Sequence, residues 1–180
     1  MQQRVVMRWH VALMLCSMVG VPAWARAACS DFSWDVHQER ALFTGQAQSL
    51  PAGSTVAAAP SIHPDHLYDL HLTPQPQVQF GTPPGKVMLA DGAYAGMVRL
   101  QVAMPGSYRV SVDVPFWIDV VSDGKLLPTQ DFQGQHGCGE PRKIVEFELP
   151  ADRDLLLQFS GATSAQLHLT VTRSPAAATH

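Results

Sequence analysis

The sequence is short of charge. Only 15% of its 180 residues are Asp, Glu, Lys or Arg, and only three are lysines. So little Lys and Glu excludes a long coiled coil, and a formal charge of −3 provides no basic field for nucleic acid. Low charge beside 46% hydrophobic residues also excludes a disordered chain. Long apolar runs are scarce, and the stretch from Val11 to Val21 is too short for a stable membrane span. There is no C-x-x-C, no G-x-S-x-G and no His-x-His with a downstream Glu. These absences remove a thioredoxin-like redox centre, a hydrolase nucleophile elbow and a cupin-like iron site.

What is present begins with an address. Arg4 and Arg8 precede the apolar stretch, Pro22 breaks it, and two small-x-small sites follow, Ala23-Trp24-Ala25 and Ala25-Arg26-Ala27. Residues 1–27 are expected to be a secretory signal peptide cut after Ala27, with Ala25 the second choice. A retained anchor and a lipoprotein are the alternatives. Arg26 stands where a lipobox at Cys29 needs an aliphatic residue, and Leu15 stands where one at Cys16 needs a small residue. The expected location is periplasmic or secreted, with no transmembrane segment after cleavage. Removing the signal takes three Arg and no acid, leaving 9 basic against 15 acidic residues and a charge of −6.

Cys16 leaves with the signal, so Cys29 and Cys138 remain, and in an oxidising compartment they are expected to form a disulfide. The bridge would close a loop of about 110 residues, on the order of 4–5 kcal/mol by the chain-entropy argument.

Residues 29–45 are the only stretch with helical character: Ser33 can cap, Asp35 suits the first turn and Gly45 can end it. Trp34, Phe43 and the bridge are expected to anchor this helix. Residues 46–66, rich in Ala, Ser, Pro and Gly, read as an irregular linker. From Leu67 the period becomes two. Tyr68, Leu70 and Leu72 alternate with polar residues, as do Val98, Leu100 and Val102, then Tyr108, Val110, Val112 and Val114. Phe116, Ile118 and Val120 follow and end at Asp123-Gly124, a hairpin signal. Val145, Phe147 and Leu149 come next, then Leu155, Leu157 and Phe159, and finally Leu167, Leu169 and Val171. At least seven half-buried strands without intervening helices predict an all-β fold, an antiparallel β-sandwich or jelly roll with one short N-terminal helix. The expected divisions are 1–27 signal, 28–66 helix and linker, 67–173 sandwich, and 174–180 a tail too polar and short to pack.

Residues 95–172 resemble the bacterial pre-peptidase C-terminal type of β-sandwich. The likeness rests on GSYRVSVDVPFWIDVVSDGKLLP, RKIVEFELPADRDLLLQFSG and AQLHLTVT, and it implies an exported sandwich of the same kind. An early Cys near a Trp, then WIDVVSDGK, a Gly-Cys loop and Arg-Lys are similar to a set of small uncharacterised exported bacterial proteins. Some of these carry the label homogentisate 1,2-dioxygenase, which implies an iron-dependent oxygenase. No motif of that enzyme matches a position here, so no catalytic residue is carried over.

Candidate sites are few. His63, His66 and His71, with Asp65, offer imidazole and carboxylate within nine residues and are the metal set under the oxygenase alternative. His136 neighbours Cys138, a thiol–imidazole pair that a disulfide would remove. Glu146 and Glu148 share a strand face, which reads as a solvated acidic face. Trp117 alternates opposite Phe116, Ile118 and Val120, placing an aromatic plane on the outer face beside Asp119. Gln133, Gln135, Arg142 and Lys143 lie in or after the next loop and could complete a sugar-binding patch. The function expected from these residues is an exported, non-enzymatic binding or interaction domain. Its partner would be a glycan or another envelope protein, it would bind no nucleic acid, and no cofactor is implied.

Overall fold

A computed structural model of the chain describes residues 31–87 and 91–175. The expected signal peptide, Cys29 and the last five residues lie outside the described residues. One helix, α1 (His37–Phe43), precedes β1 (Gln48–Pro51), β2 (Ser61–Ile62), β3 (Leu67–His71) and β4 (Thr73–Pro74). Then come β5 (Tyr94–Leu100), β6 (Gly106–Val112), β7 (Trp117–Ser122), β8 (Lys125–Leu126) and β9 (Thr129–Gly134). The chain closes with β10 (Lys143–Leu149), β11 (Leu155–Ala162) and β12 (Gln166–Arg173).

Two sheets face each other in a β-sandwich. The first runs β1-β3-β12-β6-β10-β9, and the second runs β2-β5-β11-β7-β8 with β4 beside β5. Every period-two residue from Tyr68 to Val171 named above turns into the space between them or packs against it. Phe147, Phe159, Leu100, Leu157 and Leu169 are among the fully buried side chains there. The Asp123-Gly124 hairpin forms as its sequence predicts: Ser122 pairs with Lys125, and both turn residues take the positive φ that a two-residue turn requires.

The sheets are mixed rather than wholly antiparallel. β1 runs parallel to β3, and β2 runs parallel to β5. Both lie in the expected linker, where strands as short as QSLP and SI carry no alternation to reveal them. That stretch and residues 78–80 together seal the outer face of the second sheet. Val56, Val78 and Phe80 pack on a smaller cluster of Ala59, Met97, Val121 and Leu156.

The outer face of the first sheet is covered in a different way. α1 packs on β12, but its buried positions are Val36, just before it, and Glu39. Glu39, 2% exposed, lies 3.6 Å from the Arg109 guanidinium and accepts a 2.9 Å hydrogen bond from the Thr172 hydroxyl. Arg109 also bonds Glu146 at 3.1 Å and the Asp35 carbonyl at 2.8 Å, and its guanidinium stacks 4.6 Å from the Trp34 ring. The helix is therefore fastened by a buried ion cluster, to which the expected anchor Trp34 contributes through its ring on Arg109. Ser33 does not cap it: the N-cap is Val36, which makes no side-chain cap bond. The Ser33 N–H and hydroxyl meet the Gln133 side chain at 2.8 and 2.6 Å instead.

Candidate binding cleft at Trp117

The two sheets part along one side, between the first half of β7 and the strands β10 and β9. β8 pairs only with Val121 and Ser122, so among the described residues no strand flanks Trp117–Asp119 on that side. β9 is the edge strand of the other sheet, and its residue Phe132, opposite Val145, reaches past the sandwich core and is 65% exposed. Between them lies a cleft of about 300 Å³ lined by Trp117, Ile118, Phe132, Lys143 and Val145, with Thr129, Gln130 and Asp131 at the rim. That volume is at the small end of ligand sites, and a mainly apolar wall with few polar groups is their usual make-up.

Trp117 is held rather than loosely exposed. Its indole N–H donates to Asp119 Oδ1 at 2.9 Å, and the other Asp119 oxygen accepts the Gly85 N–H at 2.9 Å. Asp119 is buried, so these two bonds satisfy a carboxylate that has little water. Gly85 is required by this contact, because a Cβ there would sit 2.9 Å from Asp119 Oδ1. Docking Gly85 delivers the next residue, Lys86, to the ring: its ammonium is 5.5 Å from the Trp117 centroid. Lys143 Nζ lies 5.8 Å from the same centroid and donates to the Phe116 carbonyl at 2.6 Å. Two of the three lysines in the sequence thus converge on one indole.

Burial, and next the positive charge of Lys86, pull the Lys143 amine below the usual lysine range, against the pull of Asp119 the other way. Two ammonium groups near one ring repel each other, and an anion placed beside them would offset that repulsion.

The sequence-derived residues divide. Trp117, Asp119 and Lys143 come together as expected. Gln133 does not join them, because it faces the other side of β9 and holds Ser33. Arg142 is half-buried opposite the end of β6, with its Nε unpartnered, and does not line the cleft. Gln135 is buried and turned into its own loop, where its amide nitrogen donates to the Gly139 and Pro141 carbonyls and its oxygen accepts the Cys138 N–H. Two residues beside Trp117 were not expected from the sequence, Phe132 in the cleft wall and Lys86 over the indole. Phe132 is the one apolar side chain in the polar run TQDFQG, which is the mark of an aromatic on an edge strand, and Lys86 is one of very few lysines.

Glu146 does not belong to a solvated acidic face, since Arg109 and the Ser174 hydroxyl hold it; Glu148 is exposed. Ser174 therefore packs at the start of the expected tail. Among the described residues, His63, His66 and His71 form no common metal cluster. The His63 N–H bonds the Tyr68 hydroxyl, His66 Nδ1 bonds the Pro64 carbonyl, and His71 sits between Ser49, Asp69 and Gln166. His63 borders a second, broad depression of about 1040 Å³ at one end of the sandwich, with Asp65, Asp152, Arg153, Asp154 and Arg173. Charges of both signs line it, and Arg153 pairs with Asp123 at 2.9 Å. Among the described residues no helix is long and apolar enough to cross a membrane.

No protein-family model, curated protein or solved structure matches the chain.

Proposed function

We propose that this protein is an exported, non-enzymatic binding domain whose cleft at Trp117 takes an acidic sugar of a glycan. The observation that carries the reading is the pair of ammonium groups on one fixed indole, Lys86 over the ring and Lys143 in the wall of a small cleft that also offers an exposed Phe132. An exposed aromatic ring supplies the stacking surface that a pyranose needs, and two cations suit a carboxylate on the sugar. Phe132 is the stacking platform. Trp117 is the back wall, since lysines already approach its ring.

The reading of an exported protein rests on the signal-like residues 1–27 and on the likeness to exported pre-peptidase C-terminal sandwiches. A Cys29–Cys138 disulfide fits the same picture. The Ser33–Gln133 bonds bring the segment that follows Cys29 against β9, five residues before Cys138.

A glycan array that includes uronate-containing and neutral oligosaccharides tests the proposal. The mature protein should be retained on uronate glycans, and Phe132→Ala, a change at an exposed position, should abolish retention without altering the melting temperature. Retention on no acidic glycan, or equal retention of the variant, would overturn it.

A further inference from the structure

A second cluster lies on the outer face of the first sheet, around the end of β6. Asp113, Glu140 and His168 each offer one ligand atom, and these atoms all lie within 4.8 Å of one another. The pairing of β12 with β6 sets His168 beside Asp113, because Leu169 is opposite Val112. The backbone N–H of His168 donates to Asp113 Oδ1 at 2.9 Å, and His168 Nδ1 is 3.0 Å from Oδ2, so the carboxylate is fixed at both oxygens.

Glu140 is brought in by a loop built for that position. Buried Gln135 binds the carbonyls of Gly139 and Pro141, the two residues that flank Glu140. The result is two carboxylates at close range, one of them with only 14% of its side chain exposed. Among the described residues, neither makes an ion pair with Lys or Arg. Asp69 on β3, opposite His168 in register, adds a third acid on the same face. Carboxylates gathered this closely repel, and a surface His–Asp pair explains only two of the three groups.

We propose that Asp113, Glu140 and His168 bind a transition-metal dication of the zinc class, with water completing a four-coordinate shell. One imidazole among the donors argues against Mg²⁺ or Ca²⁺, which take oxygen only, and two carboxylates with a nitrogen suit Zn²⁺. The metal would pin the Gly-Cys loop to the sheet just before Lys143 enters the cleft. This site is independent of the glycan reading and of His63, His66 and His71.

The test is calorimetric titration of chelator-stripped mature protein with Zn²⁺, in non-reducing buffer. One equivalent should bind with a dissociation constant in the micromolar range or below. His168→Asn and Glu140→Gln should each weaken binding at least tenfold, whereas His63→Ala should leave it unchanged. Glu140 is exposed and on a loop, so Glu140→Gln keeps the test valid if His168→Asn disturbs folding. No saturable Zn²⁺ binding, undiminished binding in Glu140→Gln, or equally tight binding of Mg²⁺ or Ca²⁺ would each overturn the assignment.

Discussion

Arg109 is the residue on which the outer face of the first sheet depends. Its alternation with Tyr108 and Val110 marks it as outward-facing, and so it is, but outward here means under α1 and not into water. Two carboxylates, a carbonyl and an indole ring converge on one guanidinium. Removing that cation leaves Glu39 buried without its charge partner, a loss that costs about 3–5 kcal/mol in comparable buried pairs. Arg109→Met should therefore lower the unfolding free energy by that order in urea denaturation. Adding Glu39→Gln and Glu146→Gln should recover much of the loss, because the stranded charges are then gone. A triple variant no more stable than Arg109→Met would show that the charges are not what the arginine serves. The same residue marks a limit of pattern reading: period two gives the side of the sheet, and only tertiary contacts show what covers that side.

At the scale of elements, the strands whose inner face is apolar were legible and those that lack such a face were not. Val98 to Val102, Tyr108 to Val112 and Leu167 to Val171 each expose one dry face in the sequence itself, and each is a strand in the structure. β1 and β2 are parallel additions of four and two residues, too short for a period, although Ile62 is fully buried in the core and Leu50 packs against it. β9 is polar because it is an edge, and an edge strand needs no second dry face. The fastening of α1 has a consequence in acid. Burial raises the Glu146 pKa, but hydrogen bonds from Ser174, Arg109 and Ser107 and the charge of Arg109 outweigh it, leaving the group below the usual glutamate range. A carboxylate depressed in the folded state contributes stability above its unfolded pKa and loses it as pH falls through the folded value. Unfolding free energy measured from neutral to acidic pH should accordingly fall below the ordinary glutamate range, and Glu146→Gln should flatten part of that fall. An unchanged slope in the variant would remove Glu146 from the account.

For the whole molecule, the alternation pointed to a β-sandwich, and the signal-like N-terminus to the proposed export, more readily than any motif pointed to a ligand. Phe132 and Lys143 in the cleft wall and Lys86 over the indole come from two strands of one sheet and a loop, and only folding brings them to Trp117. Lys143 was legible only as one of the polar residues in or after the loop that follows the Trp117 strand, with β8 and β9 between them. Lys86 was not, because its place depends on a Gly85–Asp119 contact that no local pattern encodes. The metal cluster was hidden for the same reason: its residues are 27 and 28 positions apart and meet only through strand register and a loop. Export and the proposed bridge make a separate prediction. The mature protein should take up no iodoacetamide without reductant and two equivalents after reduction under denaturing conditions, read by intact mass. Uptake without reductant would rule out the Cys29–Cys138 pairing.

The central claim is that the Trp117 cleft receives an acidic sugar. After cleavage at Ala27 the chain keeps only Trp34 and Trp117, so a Trp34→Phe background makes tryptophan emission report on the cleft alone. Titration with uronate oligosaccharides should shift that emission saturably. Neutral oligosaccharides of equal length should bind at least tenfold more weakly, and Lys86→Gln or Lys143→Gln should remove most of the difference. Emission that no uronate moves, or that neutral and acidic sugars move alike, would contradict the account.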